Sequence, residues 1–131
     1  MMSVEYVAGF FDGEGSVGVY SRSRSPGRYY ASFGIAGNYH PGMVALCKAL
    51  PGAKLYERKV KPTHRGAYAL RIYKAADISA ALEWIHPHLW EKRAQASIVL
   101  DFLHGRVDGA CANALCSKLK KISFENGIAT L

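Results

Sequence analysis

Two carboxylates flank a glycine in Asp12-Gly13-Glu14-Gly15, inside the run Val7–Tyr20, "VAGFFDGEGSVGVY". Carboxylates at this spacing can hold a hard cation, be solvated, or be neutralised by a neighbouring arginine. The same glycines also fit G-x-G-x-x-G-x-V, the pattern of a phosphate-cradling loop. That reading needs a strand before the glycines and a helix after them. Here residues from Val4 to Gly13 read as a helix, with Ser3 as N-cap and Glu5 in its first turn, and alternation begins only at Ser16. The helix therefore points its partially negative end at the loop, and Glu14 adds charge of the same sign. An acid just past a helix C-terminus costs about 0.3–1 kcal/mol unless a cation joins it. The rest of the kinase signature is missing, so the residues argue against nucleotide binding and leave a cation, a neighbouring arginine or solvation.

The elements that position these acids follow from periodicity. "SVGVYSRSR" and "RYYASFGIAG" alternate around a Ser25-Pro26-Gly27 turn, with Val17, Val19, Ala31, Phe33 and Ile35 inward. Pro41 opens a helix that Pro51-Gly52 closes. "AKLYERKVK" and "GAYALRIYK" form a second hairpin about "PTHRG", with Leu70 and Ile72 inward and Arg71 and Tyr73 outward. A helix from Asp77 ends at His86-Pro87. Another covers "WEKRAQASIVLDFLHG", with Ala94, Ile98, Val99, Phe102 and Leu103 buried and Gly105 as cap. "ANALCSKLKK" suggests one more. The sum is an α+β fold of order α-β-β-α-β-β-α with a further C-terminal helix, in which two hairpins form one antiparallel four-stranded sheet with helices on one face. A single domain spans 1–131, with its core at about 4–105 and a helical tail at 106–131.

Charge is segregated. The chain carries a formal +7. Between Gly15 and Ala76 eleven Lys and Arg side chains meet one acid, Glu57, and seven tyrosines lie among them. Cations neutralise phosphates and aromatics offer stacking faces, so a nucleic-acid surface is expected on the outward side of the sheet. No apolar run suits a membrane span and the N-terminus has no signal-peptide pattern, so an intracellular, non-secreted protein without a membrane partner is expected. Cys47, Cys111 and Cys116 lack a disulfide or zinc spacing, with or without His86 and His88, and read as free thiols.

Val7-Ala8-Gly9-Phe10-Phe11-Asp12-Gly13-Glu14-Gly15 closely resembles the signature motif of the LAGLIDADG homing endonucleases, and the strand that follows, the element order and "HPHLWEKRAQASIVL" are similar to that family over about residues 4–105. The resemblance implies the homing endonuclease fold, with the sheet as a saddle in the DNA major groove. It implies an Mg²⁺-dependent, intron-encoded endodeoxyribonuclease that cuts a long, roughly palindromic double-stranded DNA site, one phosphodiester per strand. One motif implies a homodimer, of formal charge +14, twice that of one chain, with Ala8, Gly9, Asp12 and Gly13 at the subunit contact.

Carried over by position, Glu14 implies the metal-binding acid, where the family usually has aspartate, and the Gly13 carbonyl a backbone ligand. Mg²⁺ or Mn²⁺ would be the working ion and Ca²⁺ a non-catalytic substitute. Lys92 and Asn38 match the family's basic and polar groups around the attacking water. Base and phosphate contacts are expected from Tyr20, Arg22, Arg24, Arg28, Tyr30, Ser32, Tyr56, Arg58, Arg71 and Tyr73. The compartment would be the one holding the target genome, a prokaryotic cytoplasm or an organelle. The same scaffold also admits a catalytically inactive DNA-binding regulator or an RNA-binding intron maturase.

Overall fold

The computed structural model describes residues 2–58 and 67–129, and side chains as far as Lys121. The chain runs α1 (Val4–Glu14), β1 (Gly15–Ser21), β2 (Tyr29–Gly37), α2 (His40–Ala49), β3 (Lys54–Arg58), β4 (Ala67–Ile72), α3 (Ala75–Ile85), a short 3-10 turn (His86–His88), α4 (Arg93–Leu103) and α5 (Gly109–Ala129). The four strands form one antiparallel sheet of order β1-β2-β4-β3, so the two hairpins join through β2 and β4. This is the α+β arrangement expected from the sequence. The tip of the second hairpin, with Lys59, Lys61 and Arg65, lies outside the described residues.

Helix α1 starts where Ser3 Oγ accepts from the Tyr6 N–H at 3.2 Å, relieving one unpaired donor of the first turn. Val7, Ala8 and Phe11 are buried, and Phe11 stacks on Phe33 of β2 with ring centroids 4.8 Å apart. The chain turns directly into β1 at Gly15. That residue has an ordinary φ of −84°, so it is not a left-handed helix stop. It is glycine because a Cβ would lie 2.3 Å from the Phe11 ring. The core continues through Val17, Val19, Ile35, Leu70 and Ile72 on the inner sheet face, against Ile78, Leu82, Ile85, Leu89 and Val99. Their alternation against solvent-facing polar residues is what fixes the register.

Three boundaries differ from the periodicity. Strand β1 ends at Ser21, so Arg22 and Arg24 belong to the connection, where Arg22 N–H donates to the Arg28 carbonyl at 2.9 Å and Gly27 takes a φ of +85°. Helix α3 begins two residues before Asp77, which lies in its first turn. Helix α4 begins at Arg93 rather than Trp90, and it buries Gln95, Ala96 and Val99 while Ala94 is exposed. The reason is a tertiary bond: the N–H groups of Trp90 and Lys92 are directed at Asp12, which holds residues 90–92 out of the helix.

The C-terminal helix α5 is longer than its sequence pattern suggests. It lies against β1, the outer strand, with Ala112 and Cys116 buried one turn apart. Asn113 Nδ2 donates to the Val19 carbonyl at 2.7 Å, which occupies an acceptor that an edge strand leaves open. Gly109 permits the close start of this contact, since a Cβ there would lie 2.4 Å from Tyr29 Cβ.

Candidate nucleic-acid interface and metal site

Asp12 and Glu14 sit together at the end of α1 and are used differently. Both Asp12 carboxylate oxygens are occupied: Oδ2 accepts from Trp90 N–H at 2.8 Å and Oδ1 from Lys92 N–H at 3.0 Å. Lys92 is the N-cap residue of α4, so an anion stands at a helix N-terminus, where the dipole favours it. In return the Lys92 ammonium donates to the Asp12 backbone carbonyl, placing a cation at the C-terminus of α1. The pair locks two helix ends to each other. The cation called for by an acidic helix end is therefore, at Asp12, a lysine of the same chain.

Glu14 has no such partner. It is exposed, and among the described residues no salt bridge or side-chain hydrogen bond reaches it. It borders two hollows. One, of about 420 Å³, is lined with Asn38, Arg58, Tyr6 and Phe10. The other, of about 180 Å³, opens on the outer sheet face, floored by Ser16, Gly34, Ala36 and Ala69 and edged by Arg58 and Arg71. Small residues at these outward positions keep the floor low, while two guanidinium groups supply charge.

The structure thus brings Glu14, Asn38 and Arg58 together. Lys92 borders neither hollow. Ser16, outward on β1 beside Glu14, was not singled out in the sequence, although the alternation Ser16-Gly18-Tyr20 carried it. Trp90, 88% exposed beside the Asp12 clamp, was missed because periodicity placed it inside a helix. Of the residues expected at a subunit contact, Gly9 and Gly13 are exposed. Ala8 is fully buried in the chain's own core. Asp12 has spent both oxygens within its own chain.

The expected base-contacting residues fall on the outer face or its rim. Tyr20 and Tyr30 face each other across β1 and β2 with centroids 6.1 Å apart, and the Arg22 guanidinium lies 5.2 Å above the Tyr30 ring. Tyr56 and Tyr73 meet edge to face at 6.4 Å, and the neighbouring Tyr73 hydroxyl holds the Tyr56 phenol above its ordinary pKa. Ser32 and Arg71 lie along the same face, and Arg24 and Arg28 are exposed in the β1–β2 connection. The arrangement offers guanidinium forks for phosphates or base edges, aromatic faces for stacking, and at the end of the groove the exposed Glu14 carboxylate.

No protein-family model matches the chain, and no curated protein matches it. Solved structures do. The chain is similar to the archaeal intron-encoded homing endonuclease I-Vdi141I complexed with DNA, at a TM-score of 0.71 and 18% identity over 90% of this chain and 82% of that one. It is similar to the homing endonuclease I-CvuI in complex with the I-CreI target, at 0.61 and 24% over 79% and 66%. It also resembles the LAGLIDADG meganuclease I-AabMI bound to uncleaved DNA, at 0.64 and 16% over 79% of this chain and only 36% of that one. At these identities the likeness is one of fold, and the chain spans about a third of the I-AabMI chain.

Proposed function

We propose that this chain, which has the signature motif and the fold of the LAGLIDADG homing endonucleases, is a site-specific endodeoxyribonuclease working as a homodimer. The observation that carries the reading is Glu14, an exposed carboxylate without an ion-pair partner among the described residues, at the head of a groove edged by Arg58 and Arg71. It is supported by solved homing endonucleases of the same fold bound to DNA.

Two copies would pack α1 against α1, with Gly9 and Gly13 as the close-approach surface, and set one Glu14 from each on either side of the two-fold axis. Among the described residues no group of three or more His, Cys, Asp or Glu side chains is placed to hold a metal ion. One carboxylate oxygen and the Gly13 carbonyl per subunit do fit Mg²⁺ or Mn²⁺, which are commonly held by one or two carboxylates with substrate phosphates completing the shell. When bound, such an ion polarises the scissile phosphate and lowers the pKa of the attacking water. Ca²⁺, present in a solved complex of I-CvuI with its target, would support binding rather than cleavage.

The chain's own residues supply the rest. Arg58 and Arg71 neutralise and orient the phosphate, and the Asn38 amide orders water near Glu14. Lys92 holds the end of α1 in place through the Asp12 carbonyl and reaches the solvent network only from there. The outer sheet face lies in the major groove of a roughly palindromic double-stranded site, each subunit reading one half with Tyr20, Arg22, Tyr30, Ser32, Tyr56 and Tyr73, while Arg24 and Arg28 meet the flanking backbone. Cleavage takes place where the target genome and its intron are.

A library of double-stranded sites tests this. In Mg²⁺ or Mn²⁺ the protein should cut a small set of related sequences on both strands, and in Ca²⁺ it should retain them uncut. Selective retention without cutting in all three ions would make it a regulator, and preference for folded RNA over every duplex would make it a maturase.

A further inference from the structure

Helix α5 does more on its outward side than cover the edge of β1. The Lys120 ammonium donates to the Tyr20 hydroxyl at 2.7 Å and lies 5.2 Å from the centroid of the same ring. The Tyr20 ring is folded down along β1 over Gly18, where a Cβ would meet its hydroxyl at 3.0 Å and its ring carbons at 3.1 Å. Tyr30 stands beside it across the strand pair. Three neighbours thus set the place of one tyrosine on the outer face: a glycine below, an aromatic ring beside it, and a lysine from a helix 100 residues away in sequence.

The lysine also sets the chemistry of the hydroxyl. A tyrosine hydroxyl has one proton to give and two lone pairs to receive. An ammonium has only donors, so its bond to Tyr20 takes a lone pair and turns the phenolic proton outward. In the major groove, guanine N7 and O6, adenine N7 and thymine O4 accept, whereas cytosine presents the N4 donor.

We propose that Lys120 is a specificity-positioning residue: by donating to the Tyr20 hydroxyl it presets that hydroxyl as a donor, so that the base read by Tyr20 is biased towards acceptor edges and against cytosine. This rests on the DNA-reading role proposed above for the outer sheet face.

The test is site selection from a randomised duplex library with the full chain, using wild type, Tyr20→Phe, Lys120→Met, Lys120→Arg and the control Lys118→Met. The position whose preference changes in Tyr20→Phe is the one Tyr20 reads. In Lys120→Met, cytosine at that position, and its symmetry mate, should gain about fivefold relative to the other bases, the worth of one ordinary hydrogen bond. Lys120→Arg, which keeps the donors, should restore the wild-type profile. Lys118→Met, which removes an exposed lysine of the same helix that does not meet Tyr20, should leave the base preference at that position unchanged. Thermal unfolding of each variant separates loss of the helix from loss of the bond. A stable Lys120→Met variant that weakens every sequence equally, or leaves the profile unchanged, overturns the proposal. A wild-type protein that enriches no sequence overturns the DNA reading itself, and this inference with it.

Discussion

Asp12 and Glu14 are two positions apart and one methylene different, and their surroundings give them opposite tasks. Asp12 accepts two backbone N–H bonds at the head of α4, and hydrogen bonds to a charged group contribute about 1.5–3 kcal/mol each. Replacing it with alanine leaves two donors without their acceptor, and urea denaturation should show a loss of about 2–4 kcal/mol. Glu14 has no ion pair or side-chain hydrogen bond among the described residues and stands at the unfavourable end of a helix dipole. Glu14→Gln should therefore leave the free protein as stable as before or more stable by a few tenths of a kcal/mol. A large loss of stability in Glu14→Gln would mean a structural partner for Glu14 and would contradict its availability for a cation. Lys92→Met removes the cation from the end of α1 and should cost about 1 kcal/mol in the same assay. The sequence marked both acids because of where they fall on the helix. It left open what neutralises them, because the partner of Asp12 is 78 to 80 residues away and no local pattern carries that contact.

At the scale of elements, both hairpins were legible because their strands alternate cleanly and one face of each is buried, which leaves a single workable register. Helix α1 was legible from its cap and its small and apolar residues. What local patterning could not supply was the start of α4, moved three residues by bonds to Asp12, and the destination of α5. Ala112 and Cys116 read as part of a C-terminal helical tail, and they are buried against β1, a tertiary contact that a helical pattern alone does not specify. Burial also raises the Cys116 thiol above its ordinary pKa, with a Val19 backbone hydrogen bond and the Lys120 charge acting the other way. Less thiolate and less access both protect Cys116, while Cys111 on the same helix is exposed. Alkylation of the native protein followed by mass spectrometry should therefore label Cys111 well before Cys116. Equal labelling of the two would show that α5 does not stay docked on the edge strand.

At the scale of the whole molecule, one chain offers one reading face, one exposed motif helix and, at Glu14, one candidate metal-binding acid, and each of these is half of what a symmetric duplex presents. Two copies carry +14, twice the +7 of one. Binding to DNA should weaken steeply with salt: a dimer neutralising about 6–10 phosphates loses roughly 10³–10⁵ in affinity between about 50 and 200 mM. Nearly flat salt dependence would mean that the basic face is not what meets the duplex. Sedimentation of the free protein at high concentration should give twice the chain mass. The most direct test of the account is cleavage of a selected site by wild type and Glu14→Gln in Mg²⁺, with binding measured in parallel in Ca²⁺. The account predicts that wild type cuts both strands and that Glu14→Gln binds the same site but cuts neither; cleavage by Glu14→Gln at the wild-type rate would contradict it.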